Sequence, residues 1–269
     1  MKQRMTRNEI KKVQLDILSY FNKICLENNI HYTVYGGTLI GALRHGGFIP
    51  WDDDIDVALY RDDYDKVLKI LQDENKYRLH NYRNRNFEQP FAKLSDKRTI
   101  QIGPSFSTRN LGCFIDIFPI DKYPENIQER ELYRKKLQKE FRIALDGSFP
   151  EYFSSENWLK VISKIFLRFP RFVMHKGDLY HRLGKIDDEL QKFNRTDSKI
   201  CGYILSPYED REKFHVNVLN SFEMVDFEDI KVMKIKNHDE YLSSTFGDYM
   251  TMPPEDKRRT HNFYNFYWK

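Results

Sequence analysis

Apolar residues recur at three- and four-residue steps through Ile10, Val13, Ile17, Phe21 and Ile24, which predicts a helix with one buried face. Thr6 and Glu9 stand ahead of it at capping-box spacing, and the pattern runs out near Asn28 and Asn29. "HYTVY" reads as a short strand ended by Gly36-Gly37, and Thr38 is placed to cap a short helix carrying Leu39, Ile40, Ala42 and Leu43. After Pro50, "DIDVALY" alternates as a strand, and Asp62 is placed to cap a helix with Tyr64, Val67, Leu68 and Leu71. Strand-like pieces follow at "YRLHNY", "FAKLSD" and "RTIQIG", then at "GCFIDIFPI", which Pro119 is expected to stop. A long charged helix covers Ile127 to Leu145.

Gly147 and Pro150 make a break. Beyond it "WLKVISKIFLRFPRFVMHK" predicts an amphipathic helix that Pro170 kinks or ends, followed by a polar helix near Asp178 to Phe193. The last third holds short strands and the tail "STFGDYMTMPPEDKRRTHNFYNFYWK". This order predicts an α/β (α+β) fold: a mixed β-sheet flanked by helices, with an added helical region. The expected division is a core at 1–146 and a helical region with the C-terminal tail at 147–269.

Composition narrows the class without naming it. Hydrophobic residues are 40% and charged residues 31% of 269, an ordinary globular balance. A formal net charge of +4 leaves no strand-sized basic groove, so no nucleic-acid partner is expected. Cys25, Cys113 and Cys201 are odd in number and widely spaced, which excludes a disulfide framework and a zinc spacing and suits a reducing compartment. The first residues lack an apolar signal core and no run is long enough to span a bilayer, so a cytoplasmic protein is expected. Aromatic residues reach 15%, which suits a ring-rich core, a ring-lined pocket or a surface that meets lipid headgroups.

The chemistry concentrates in "WDDDIDVALY", where Asp52, Asp53, Asp54 and Asp56 fall within five positions. On a strand Asp54 and Asp56 point the same way, their Cα atoms about 7 Å apart, while Ile55, Val57 and Leu59 point into a core. "FIDIF" repeats the arrangement with Asp116 between Ile115 and Ile117. Side by side, three such carboxylates repel by roughly several kcal/mol at a moderate dielectric. A hard divalent cation, Mg²⁺ or Mn²⁺, removes that cost, which makes Asp54, Asp56 and Asp116 candidate metal ligands. The bland alternative is a solvated acidic loop beside Pro50. Upstream, Gly36-Gly37 ahead of a helix N-terminus lets backbone amides approach an anion. A phosphate cradle facing metal-binding carboxylates is the equipment of phosphoryl transfer.

"GGTLIGALRHGGFIPWDDDIDVAL", "GCFIDIFPIDKYP" and "FGDYMTMPPEDKRRTH" closely resemble the LicD family of phosphocholine transferases, which has fukutin-like relatives. The pieces run from Tyr35 to His261 and so span most of the chain. The resemblance implies a nucleotidyltransferase-like catalytic core, with the tail completing the site. It also implies that Asp54 and Asp56 are metal ligands, with Asp116 the third carboxylate, which orients the acceptor hydroxyl and takes its proton. Gly36, Gly37 and Thr38 would lie against the donor phosphates. Arg44, Lys93 and Arg98 are candidates for the remaining phosphate charge, with a surface ion pair as the alternative for each. His45, beside Arg44, reads as structural. The 16 positions from Thr38 to Asp53 are more than the wider superfamily places between glycine pair and first carboxylate, though usual in this family.

The implied reaction moves phosphocholine from CDP-choline to a sugar hydroxyl of a cell-surface, teichoic-acid-type glycan precursor and releases CMP. An amino-sugar acceptor, lipid-linked, is the implied partner. Choline is recognised by aromatic faces, for which Trp51, Tyr35, Phe48 and Tyr249 are candidates. Arg258 and His261 would close over the donor or acceptor. Two alternatives stand beside this reading: a transferase of another CDP-linked alcohol phosphate, ribitol or glycerol phosphate, and a non-catalytic Ca²⁺-binding protein. In the helix after the break, Lys160, Lys164, Arg168 and Arg171 form one stripe among apolar rings, which suits either a core-packed helix or one resting peripherally on an anionic membrane.

Overall fold

The computed structural model describes residues 2–73, 75–102, 110–147, 158–258 and 265–269, apart from the side chains at 73, 158–161, 163–165, 167, 168 and 257. Helix α1 (Arg7–Glu27) starts on the expected capping box: the Thr6 hydroxyl accepts from the Glu9 amide at 3.3 Å, and the Glu9 carboxylate accepts from the Thr6 amide at 2.7 Å. Such a cap contributes about 1 kcal/mol. Its apolar stripe, Val13, Ile17, Leu18, Phe21 and Cys25, is buried against the sheet.

The central sheet runs β1 (Thr33–Val34), β2 (Asp56–Tyr60), β6 (Phe114–Lys122), β4 (Ala92–Asp96) and β3 (Tyr77–His80) in spatial order. Only β2 and β6 are parallel; the other neighbours on this path are antiparallel. Beyond the far end of β6 the sheet is extended by β7 (Ile200–Gly202) and β8 (Phe214–His215), so residues from the last third complete it. Strand β5 (Thr99–Gln101) leaves the sheet to pair with β11 (Phe266–Trp268), and β9 (Phe222–Phe227) pairs with β10 (Ile230–Ile235) as a separate hairpin.

Helix α2 (Gly36–His45) begins three residues earlier than expected and has no side-chain cap. Thr38 lies inside it, its hydroxyl accepting from the Asp56 amide at 2.9 Å. Helix α3 (Arg61–Ile70) likewise lacks the Asp62 cap; Asp62 sits in its first turn. Strand β6 runs through Pro119 instead of stopping there. Strand β4 ends opposite Ile117 and β7 begins opposite Asp121, so the missing amide falls in a gap of the ladder.

Helices α4 (Ile127–Asp146) and α6 (Leu179–Leu190) bury a second apolar cluster around Tyr133, Leu137, Leu183 and Ile186. Arg61 fastens that layer to the sheet: its guanidinium bonds Asp121 of β6 and, at 2.9 Å, Asp187 of α6, with all three side chains buried. Helix α5 (Trp158–His175) continues through Pro170. Helix α7 (His238–Phe246) places Tyr241 in the core beneath α2.

Candidate active site

Two adjacent strands set two of the predicted carboxylates side by side. Asp56 is the first residue of β2, and the parallel register sets it opposite Asp116 of β6. Asp116 in turn stands opposite Lys93 of β4, so the row across the sheet reads Asp56, Asp116, Lys93. The Lys93 ammonium bonds the Asp116 carboxylate and sits 3.6 Å from the centroid of the Phe114 ring. Asp54 lies just ahead of β2, within electrostatic reach of both Asp56 and Asp116.

The loop before β2 adds two acids that the metal expectation left out. Carboxylate oxygens of Asp52, Asp53 and Asp54 lie within 4.8 Å of one another. That tight trio shares only Asp54 with the expected one, and Asp116 is bonded to Lys93. The backbone of the acidic loop is held from α1: Gln14 donates to the Asp53 carbonyl at 2.8 Å and Arg7 to the Asp52 carbonyl at 3.3 Å. Gln14 carried a legible signal, being a polar residue on the apolar face of α1 that is 2% exposed.

Burial pushes the Asp56 carboxyl well above the usual carboxylate range, and Asp54, Asp116 and Asp52 push it further. Burial also raises Asp116, against the pull of Lys93. Asp52 is raised by burial and by Asp53. Among the described residues the acids of this cluster outnumber Lys93 and Lys11, the lysines within electrostatic reach of them, and every acidic donor is a hard oxygen. These residues therefore fit a divalent cation.

Gly36 and Gly37 serve the acids directly. Gly36 has φ +52°, in the left-handed region, and a Cβ at Gly37 would lie 2.5 Å from the Asp52 carboxylate. The pair lets the first turn of α2, with its positive dipole end, approach Asp52 and Asp56. The Gly36 amide is already used, donating to the Tyr241 hydroxyl at 3.2 Å.

The other expected contacts divide. The Arg44 guanidinium donates to the carbonyls of Tyr249 and Thr251 at 2.6 and 3.1 Å, tying the "FGDYMT" segment to α2. Arg98 pairs with Asp96. His45 meets the edge of Trp51. The Arg258 guanidinium lies over the Trp51 ring at 4.8 Å, and His261 falls outside the described residues. Among the aromatic candidates Trp51 is half-buried, whereas Tyr35, Phe48 and Tyr249 are buried. Tyr35 stacks on Tyr241 at 4.5 Å, Phe48 meets Phe227, and Tyr249 bonds Asp239. Their faces belong to the core. Tyr208, 38% exposed and within electrostatic reach of Asp56, Asp52 and Asp54, carries no motif that would have singled it out.

A mixed sheet whose central strands present buried carboxylates and a lysine, beside a glycine-started helix, has the groups that a phosphoryl-transferring enzyme needs. The family model described as LicD/FKTN/FKRP, nucleotidyltransferase domain, matches residues 29–153. A lipopolysaccharide cholinephosphotransferase LicD of Haemophilus influenzae is 32% identical over 279 aligned positions that cover 98% of each chain. A ribitol 5-phosphate transferase FKRP of Homo sapiens is 50% identical over 34 residues, 13% of this chain and 7% of that protein. An uncharacterized protein of Rickettsia prowazekii is 31% identical over 121 residues, 44% of this chain and 43% of its own. The chain belongs to the LicD family and is a phosphotransferase.

Proposed function

We propose that this enzyme transfers phosphocholine from CDP-choline to a sugar hydroxyl of a cell-surface glycan precursor of the teichoic-acid type and releases CMP. The observation that carries the reading is the row Asp56, Asp116, Lys93 on adjacent strands, in a chain similar over its full length to a cholinephosphotransferase. The acceptor is an amino-sugar glycan, lipid-linked. Bound Mg²⁺ or Mn²⁺, held by Asp54, Asp56 and Asp116, with Asp52 beside them, would neutralise diphosphate charge.

The chain's own groups divide the remaining work. Asp116 orients the acceptor hydroxyl and takes its proton as the oxygen bonds the choline-bearing phosphorus; the bond from that phosphorus to the CMP oxygen breaks, and CMP carries away the electron pair. Lys93 keeps Asp116 ionised, and a base raised by burial is better matched to neutral pH than an ordinary carboxylate. Gly36, Gly37 and Thr38 bring the positive end of α2 to the donor diphosphate. Trp51 offers an aromatic face that already carries the Arg258 cation, which suits exchange for a quaternary ammonium. Residues 1–146 form the catalytic core, and 147–269 close it through the tail that bears Arg258 and His261.

CMP release from CDP-choline with Mg²⁺ and an N-acetylgalactosamine-containing acceptor is expected from the wild type and lost in Asp116→Asn. No release with any glycan acceptor overturns the reading. The short match to a ribitol 5-phosphate transferase favours one second reading, transfer of ribitol phosphate from CDP-ribitol. Competition between the two donors decides it, the preferred donor suppressing use of the other.

A further inference from the structure

Helix α5 turns a stripe of apolar side chains to solvent. Ile162 is 42% exposed, Phe166 77%, Phe169 53% and Val173 58%. Their spacing of four, three and four puts them on one stripe along three turns. The equivalent stripe of α1 is buried in the core, whereas α5 packs on α4 and leaves this stripe uncovered. Met174, 74% exposed, borders the stripe.

The polar side of α5 is of one sign. The helix contains Lys160, Lys164, Arg168 and Arg171 and no aspartate or glutamate. By helical periodicity these four fall on the side opposite the stripe. Four cations within 18 residues rule out spanning, and among the described residues no helix is long and apolar enough to cross a membrane. A second copy of the chain is a poorer occupant: an isologous contact would cover the stripe alone and leave the cationic side, on the far face of the helix, unmatched. A surface that is apolar inside and anionic at its rim complements both faces.

We propose that α5 is a peripheral anchor that lies flat in the interface of an anionic bilayer. Ile162, Phe166, Phe169 and Val173 enter the acyl boundary, and the basic side sits at headgroup level. A helix sunk roughly 5–10 Å into the interface brings its opposite face to the headgroups. This assignment is independent of the donor and acceptor proposed above.

Flotation with phosphatidylcholine vesicles, with and without one-third phosphatidylglycerol, tests it. The wild-type protein is expected to float with the anionic vesicles and far less with the neutral ones. The double variant Phe166→Ser/Phe169→Ser, altered only at exposed positions, is expected to bind at least tenfold more weakly with an unchanged unfolding midpoint. Each basic residue near an anionic surface contributes roughly fivefold in affinity, so Lys164→Gln/Arg171→Gln should weaken binding about 25-fold. The proposal fails if the wild type stays in solution with anionic vesicles at low salt, or if the serine variant floats as well as the wild type. It fails too if sedimentation shows a dimer that the serine variant abolishes while vesicles leave the protein unbound; the stripe is then covered by a second copy.

Discussion

Lys93 and Asp116 face each other across β4 and β6, ammonium bonded to carboxylate above the ring of Phe114, with both side chains almost wholly out of solvent. Removing one member of a buried pair strands the other charge and costs about 3–5 kcal/mol. Lys93→Met is therefore expected to lower stability. It also removes the charge that holds the Asp116 proton affinity down, so the carboxylate ionises only at higher pH. If Asp116 is the proton acceptor, the acidic limb of the kcat/KM profile moves to higher pH in Lys93→Met. A profile that falls in height with its limb unmoved would assign Lys93 a purely structural role.

Asp56 makes the opposite trade. Its carboxyl is raised by burial and by three neighbouring carboxylates, so the folded state holds its proton more tightly than the unfolded chain does. Ionised Asp56 thus costs stability, and the cost grows as pH rises above the ordinary 3.8. Asp56→Asn should raise the unfolding midpoint at neutral pH in EDTA while abolishing transfer. Mg²⁺ should stabilise the wild type by mass action and leave the variant nearly unmoved. Calorimetry with and without Mg²⁺ separates these expectations, and equal Mg²⁺ responses would remove Asp56 from the ligand set.

Much of this arrangement could be read before any coordinates. Alternation placed Asp116 between two buried isoleucines, and Ile115 and Ile117 are both fully buried. The capping box of α1 and the helix over residues 127–146 also follow from local pattern. What could not be read depends on contacts distant in sequence. Lys93 reads from sequence as a candidate for phosphate charge or an ion pair, and nothing local tells that β4 lies beside β6 and sets it against Asp116. For Arg44, read as a candidate for phosphate charge or an ion pair, the contacts with the carbonyls of Tyr249 and Thr251 are illegible because those residues are some 205 positions away. Pro119 was expected to end a strand because its tolerance depends on where β4 and β7 stop.

Two buried groups titrate with opposite signs over nearly the same range. Burial pushes the Glu212 carboxyl from the ordinary 4.5 up to about 7, despite the hydroxyl of Ser206. A raised acid favours the protonated fold, so its contribution is present below pH 4.5 and lost by about pH 7. Burial pushes His80, bonded to the Ser95 hydroxyl, from 6.5 down to about 4. A depressed base favours the neutral fold, so its contribution is present above pH 6.5 and lost as pH falls through 4. Each change is worth about 3 kcal/mol, so the two largely cancel in the wild type. Glu212→Gln removes one side. Its urea unfolding free energy should rise relative to that of the wild type between pH 4.5 and 6.5, and equal slopes would show that Glu212 is ionised normally.

Two glycines of α2, Gly37 and Gly41, should fail in different ways. A methyl group at Gly37 meets only the tip of the Asp52 side chain, which can swing aside. Gly37→Ala is therefore expected to leave the unfolding midpoint nearly unchanged while displacing an acid beside the cation-binding cluster. Activity should fall roughly tenfold to a hundredfold, since small displacements at a reacting centre cost about that much. A methyl group at Gly41 instead runs into the backbone carbonyl of Gly47 and presses on Ile49, neither of which can rotate away. Gly41→Ala must push α2 off the turn that leads to the acidic loop, at about 1–3 kcal/mol of overpacking. Unfolding midpoints and turnover numbers measured on both variants test the contrast. A Gly37→Ala enzyme that keeps full activity would mean that Asp52 has no part in the site, whatever its distance from Asp54.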